Sequence, residues 1–154
     1  ASDVYKRQGA NAAGHAQEIL KALDLSHHPI SMQISQLSGG ERAKVALARQ
    51  LVGLGEIDVF FLDEPTNHLD IESIIWLEGF LIERNSTLIV VSHDIEFLNR
   101  VTNRTIEISL GRIYDHMGNY SKFIEWRKEV KEKQIQSKKN QDKKIASLQI
   151  NLYN

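Results

Sequence analysis

The sequence predicts an α/β domain with a mostly parallel sheet and a C-terminal hairpin, followed by a long exposed helix. Three observations predict it. Two short uninterrupted apolar runs, "IDVFFLD" from Ile57 and "STLIVVS" from Ser86, read as strands buried on both faces, and helical spacing follows each. "RTIEIS" and "RIYDH" flank Leu110-Gly111 as the arms of an antiparallel hairpin. From Tyr120 onward the chain turns strongly polar. Strand, helix, strand, helix and hairpin is the order of a parallel sheet with an antiparallel edge. The 154 residues, 42% of them apolar, suffice for one domain with a real core.

Each element has its own warrant. Residues 1–17 carry no dependable pattern, and "ASDVYKRQ" resembles the short translated scars found at the ends of assembled sequence fragments. "HAQEILKALDL" is helical, with Ile19, Leu20, Leu23 and Leu25 on one side. Pro29 stops it within the loop "SHHPISMQIS". The next helix should run from about Gly39 to Val52, with Ala43, Ala46, Leu47, Leu51 and Val52 facing the core. Gly53 and Gly55 should end it. "IESIIWLEGFLIER" is helical with Ile71, Ile74, Ile75, Leu77 and Leu81 inward, and "DIEFLNRV" is a short helix. Asn119 is placed to cap the final helix, whose first turns dock through Phe123, Trp126 and Val130. Between Lys131 and Lys144 the only large apolar residue is Ile135, so that stretch has no stripe to bury. Helical from Tyr120 to Ile150, it would extend roughly 45 Å as an arm.

Charge divides in the same place. Residues 1–120 hold 10 Lys and Arg against 16 Asp and Glu, while residues 121–154 hold 9 against 4. A basic arm on an acidic body suits an anionic partner or a solvated linker. The chain has no cysteine, which removes disulfides and thiolate metal sites and fits a reducing compartment. No apolar run is long enough to span a bilayer and no signal-peptide pattern is present, so the expectation is a soluble cytoplasmic protein without membrane contact.

Three motifs carry chemistry. Ser38-Gly39-Gly40-Glu41 fits a capping box, with Ser38 capping and Glu41 reaching back. Two glycines in a first helical turn work against helix propensity, and they make sense if a ligand must approach the backbone closely. A helix start there also suits a phosphate. In "VFFLDEPTNHLD", Asp63 and Glu64 sit where a strand ends, with Pro65 stopping the strand. The pair forms either a solvated turn or a site where one carboxylate serves Mg²⁺ and the other faces a reacting water. His93 ends the second strand. If the strands are parallel, it shares their edge with Asp63 and Glu64, within reach of a γ-phosphate or attacking water. His68 and Asp70, in the turn after Glu64, are placed to position an adjoining surface.

The order "LSGGE", "VFFLDEP", "HLD", "SHD" resembles the ATP-binding cassette ATPases: their signature motif, Walker B strand, D-loop and switch histidine. The likeness covers roughly Glu18 to Asp115. "DEPTNHLD" and the later "GNYSKFIEWRKEVKEKQ" resemble the ABC-F family in particular, whose members lack membrane domains and act on the ribosome. The resemblance implies a partial P-loop NTPase-like fold, with the C-terminal part of a first nucleotide-binding domain over 18–119 and the start of the interdomain linker over 120–154. It implies ATP and Mg²⁺ as cofactors, with Asp63 supporting the metal, Glu64 polarising the attacking water and His93 contacting the γ-phosphate. Ser38, Gly39, Gly40 and Glu41 would address the nucleotide of a second cassette in the parent chain, and Asp70 would lie at the cassette interface. The basic arm would approach ribosomal RNA and the P-site tRNA, in translation or in antibiotic resistance by ribosome protection.

The chain contains no GxxxxGK[ST] loop and no Gln loop. Isolated, it is therefore expected to be inactive, with incomplete burial beside the strand that starts at Ile57. Two other functions compete. The ATPase subunit of a membrane transporter would share the signature and Walker B residues but not the helical arm. A non-enzymatic RNA- or protein-binding module would not need Glu64 and His93.

Overall fold

The structure of the protein is a computed structural model that describes residues 13–29, 31–52, 59–84 and 86–152. Residues 1–12, the helix stop expected at Gly53 and Gly55, and the strand's first residues Ile57 and Asp58 lie outside them. The chain divides into two compact units, Ala1–Val101 and Thr102–Asn154. The hairpin and the long helix thus share a unit, whereas the functional division read from the sequence falls after residue 119.

In the first unit, α1 (13–22) is followed by a 3-10 turn at Ile34–Gln36 and by α2 (Gly39–Val52). Then come β1 (Val59–Asp63), α3 (Ile71–Ile82), β2 (Thr87–Val91) and α4 (Ile95–Val101). β1 and β2 pair in parallel, with Phe60 opposite Leu88 and Asp63 opposite Val91. All four helices supply the core: Ile19 of α1, with Leu23 in the turn just past it, Leu51 of α2, Leu77 of α3 and Phe97 of α4 are each 0% exposed, and they cluster with Phe60 and Leu62. Glu78, the one charged residue buried among those described, is satisfied by Arg100 Nη1 at 2.8 Å, which ties α3 to α4.

Three expectations need correction. β1 is buried on one face only, and β2 is half-buried on one face, through Leu88 and Val90. Phe60 and Leu62 lie under the helices, while Val59, Phe61, Ile89 and Val91 are exposed, so the incomplete burial falls on one side of the sheet. Ile71 and Ile75 point outward, because the buried line of α3 runs Ser73, Leu77, Leu81. At 3.6 residues per turn, Ile75 lies on the opposite side from Leu77. In α2 the core residues are Leu47, Ala48 and Leu51. Ala43 and Ala46 instead line a cavity of about 210 Å³ shared with Asp63, Glu64 and His68.

The second unit contains β3 (Arg104–Ser109), β4 (Arg112–Met117) and α5 (Tyr120–Leu152). The hairpin forms its own two-stranded sheet rather than an edge of the parallel pair. Its two-residue turn holds Leu110 and Gly111 at φ 50° and 71°, the left-handed values that match the twist of the flanking strands. Gly118 (φ 144°) leads into α5, where Asn119 Oδ1 accepts the Lys122 N–H at 3.2 Å as the expected cap. Phe123 is 2% exposed, Trp126 stacks on His116 with ring centroids 5.0 Å apart, and the Arg127 guanidinium lies 3.5 Å from the Tyr114 ring centre. Arg127 also donates to both oxygens of Glu107, at 2.7 and 3.2 Å, and holds that carboxyl below the usual range. These contacts root α5 on the hairpin. From Lys131 through Ala146 every residue is exposed. No helix among the described residues is long and apolar enough to cross a membrane.

Candidate functional site

The parallel pairing brings the ends of β1 and β2 together, so Asp63, Glu64 and His93 share one sheet edge. Asp63 is the last strand residue and its side chain is exposed. Glu64 leaves the strand in a left-handed conformation, φ 46°, while its N–H still donates to Val91 O at 2.7 Å. Positive φ is uncommon for a residue with a side chain, and here it swings the carboxylate away from the strand direction towards β2. There Glu64 Oε2 accepts the His93 backbone N–H at 3.2 Å, and Oε1 lies 3.3 Å from His93 Nε2. The imidazole is otherwise open, with 98% of the side chain exposed. A carboxylate is thus aimed and held from one side, next to a ring free to meet a ligand.

The following loop is equally constrained. Pro65 is buried, Asn67 N donates to Glu64 O at 3.1 Å, and His68 is again left-handed at φ 65°. Asp70 caps α3 by accepting the Ser73 N–H at 2.8 Å, and this bond is the main cause of its lowered pKa. Its second oxygen lies 3.4 Å from Lys44 Nζ, so Asp70 also fastens the loop to α2.

At the start of α2 the capping box is formed. Ser38 N donates to Glu41 Oε2 at 2.7 Å, and Glu41 N donates to Ser38 Oγ at 3.3 Å. Glu41 Oε1 is 2.7 Å from His28 Nε2. Ser38, first through its side chain and then through its backbone N–H, and His28 after it, hold the Glu41 carboxyl down to about 2. A Cβ placed on Gly39 would meet nothing within 4 Å, and one on Gly40 would touch His68 Cβ at an ordinary 3.6 Å. Among the described residues, packing therefore demands neither glycine. Replacing Ser38 by alanine removes the hydroxyl acceptor and should cost about 1 kcal/mol in urea unfolding. An unchanged midpoint would mean that the box does not hold the helix start.

The candidates thus form two groups. Among the described residues, no hydrogen bond or ion pair joins Ser38, Gly39 or Gly40 to Asp63, Glu64 or His93. Asp70 connects the two sides through Lys44, a residue the sequence reading did not single out. His28, whose Nε2 lies 2.7 Å from Glu41 Oε1, was missed as well.

Comparisons with known proteins follow the same residues. The family pattern described as ABC transporter matches residues 2–67, and a second pattern of the same description matches residues 106–150. The chain is 42% identical to the ABC transporter ATP-binding protein YfmR of Bacillus subtilis over 125 residues, which is 80% of this chain and 20% of that protein. It is 42% identical to elongation factor 3 of Pneumocystis carinii over 112 residues, 70% of this chain and 11% of that one. The fold is similar to that in the complex of archaeal ribosomal stalk protein aP1 with ribosome recycling factor aABCE1. There the TM-score is 0.52 at 29% identity, over 68% of this chain and 21% of that one. The chain thus spans about a fifth or less of the length of the two curated relatives.

Proposed function

The chain belongs to the ATP-binding cassette ATPases, with its relatives on the ABC-F side, and on that premise we propose that it forms part of a ribosome-associated ATPase. ATP is bound and hydrolysed where two cassettes meet. The observation that carries the hydrolytic part is the Glu64 carboxylate turned to His93 at the ends of two parallel strands. Glu64 accepts the proton of the attacking water, and His93 offers its open ring to the γ-phosphate. Asp63, an exposed oxygen donor at the strand end, would hold Mg²⁺, which when bound would offset phosphate charge.

The signature end serves a different nucleotide. Ser38 offers its hydroxyl, and the start of α2 at Gly39 and Gly40 its backbone N–H groups, to a phosphate from outside the chain. A partner cassette approaching this closely explains two glycines that internal packing does not require.

The ribosomal part rests on α5, with its exposed and mainly basic length, and on similarity to proteins named as an elongation factor and a ribosome recycling factor. RNA held by lysines releases counterions on binding. With about four phosphate contacts, affinity should fall about 10²-fold between roughly 50 and 200 mM salt. The measurement is cosedimentation of the full-length protein with ribosomes across that range. Failure to cosediment even at low salt removes the ribosomal reading and leaves the hydrolytic one untouched. A transporter subunit remains the second reading, but it gives the solvated arm no role.

A further inference from the structure

We propose that His27, His28 and Glu41 form a binding site for a divalent transition cation of the zinc class, which fastens the turn after α1 to the start of α2. Their donor atoms all lie within 4.8 Å of one another. Both imidazoles address the same oxygen: Glu41 Oε1 lies 2.7 Å from His28 Nε2 and 3.8 Å from His27 Nε2. The two rings stand with centroids 4.0 Å apart. In a tetrahedral site with metal–ligand bonds of about 2.0–2.1 Å, donor atoms lie roughly 3.3 Å apart. The His28–Glu41 separation has to open and the His27–Glu41 separation to close, each by about half an ångström on that scale, while the two imidazole donors already lie within 4.8 Å of each other.

Glu41 can serve this site without giving up its helix. Oε2 is engaged by the Ser38 N–H, and Oε1 is the oxygen that faces the rings. On the far side of His27, Nδ1 lies 3.9 Å from Asp24 Oδ1. A carboxylate behind a ligating imidazole favours the tautomer that leaves Nε2 free for the metal.

The turn is also built in advance. Asp24 takes a left-handed conformation, Leu25 N donates to Leu20 O at 2.8 Å, and His28 N donates to Leu25 O at 3.2 Å. Leu25, 4% exposed, anchors this turn in the core, so the histidines need little reordering to bind. Two imidazoles and one carboxylate suit Zn²⁺, Ni²⁺ or Cu²⁺ rather than Mg²⁺ or Ca²⁺, which prefer oxygen. The His27 side chain is 54% exposed, which leaves a fourth position to water. This site is separate from Asp63, Glu64 and His93, but it shares Glu41 with the signature end of α2.

The test is Zn²⁺ titration of the full-length chain against a chromophoric chelator. One equivalent should bind with an affinity that excess Mg²⁺ does not change. His27→Ala and His28→Ala should each weaken binding at least tenfold, while His15→Ala, stacked on Phe80 at the other end of α1, should leave it unaltered. Because His27 is largely exposed, its variant keeps the fold, as circular dichroism would verify. No stoichiometric uptake by the wild type, or unchanged affinity in the His27 variant, overturns the proposal.

Discussion

Glu64→Gln, in a full-length protein whose second site is already silenced, should lower ATP hydrolysis by about 10²–10⁴-fold, the usual worth of a general base. Nucleotide affinity should change little, because glutamine keeps the shape and can still pair with the His93 N–H that now holds Oε2. The locked, ATP-bound protein should then stay on ribosomes. His93→Ala makes a useful contrast. It deletes the ring 3.3 Å from Glu64 Oε1 but keeps the backbone N–H, so Glu64 remains aimed and the loss should be smaller. The measurement is single-turnover hydrolysis beside equilibrium nucleotide binding. Wild-type hydrolysis in the Glu64 variant would show that this carboxylate is not the base, whatever the family likeness.

Much of this arrangement was legible because it depends on neighbours in the chain. The start of α2 follows from Ser38 and Glu41 three residues apart, and the two bonds of the box are present. The hairpin follows from Leu110-Gly111, although the sequence does not announce that leucine would accept φ 50°. The shared edge of Asp63, Glu64 and His93 required one further condition, that the strands run parallel, and they do. What failed was of another kind. Ile71 and Ile75 read as inward because both are apolar, yet the core line of α3 passes through Ser73, whose hydroxyl donates to Ala22 O at 2.9 Å. Burial there is set by a partner 51 residues away, which no local period reveals. Lys44 with Asp70, and His28 with Glu41, were missed for the same reason. Each pairs residues from different elements, and each becomes visible only once the helices are docked. The left-handed Glu64 is a third case: glycine would signal such a turn, but a glutamate conceals it.

Phe97→Ala should be the most damaging core change, costing about 3–5 kcal/mol for a buried phenylalanine truncated to alanine. Small domains are stable by only about 5–15 kcal/mol in total, so most of the folded margin would go. Phe97 is 0% exposed and lies in the cluster with Leu77 and Leu81. Its N–H also donates to Asp94 Oδ1 at 3.0 Å, closing the first turn of α4, and Asp94 N donates to Ser92 Oγ at 3.1 Å. The ring therefore anchors the short helix that begins two residues after His93. With the ring gone, α4 loses its main hold, and the loop presenting the His93 N–H to Glu64 loses its support. On the proposed reading, hydrolysis by the full-length protein should fall along with stability. Ile95→Ala separates packing from helix propensity: it changes the same helix, but its side chain is 52% exposed and should cost no more than about 0.5 kcal/mol. Urea unfolding of both variants is the measurement. Equal midpoints would mean that Phe97 does not anchor α4, and that His93 is held by its own turn rather than by the helix behind it.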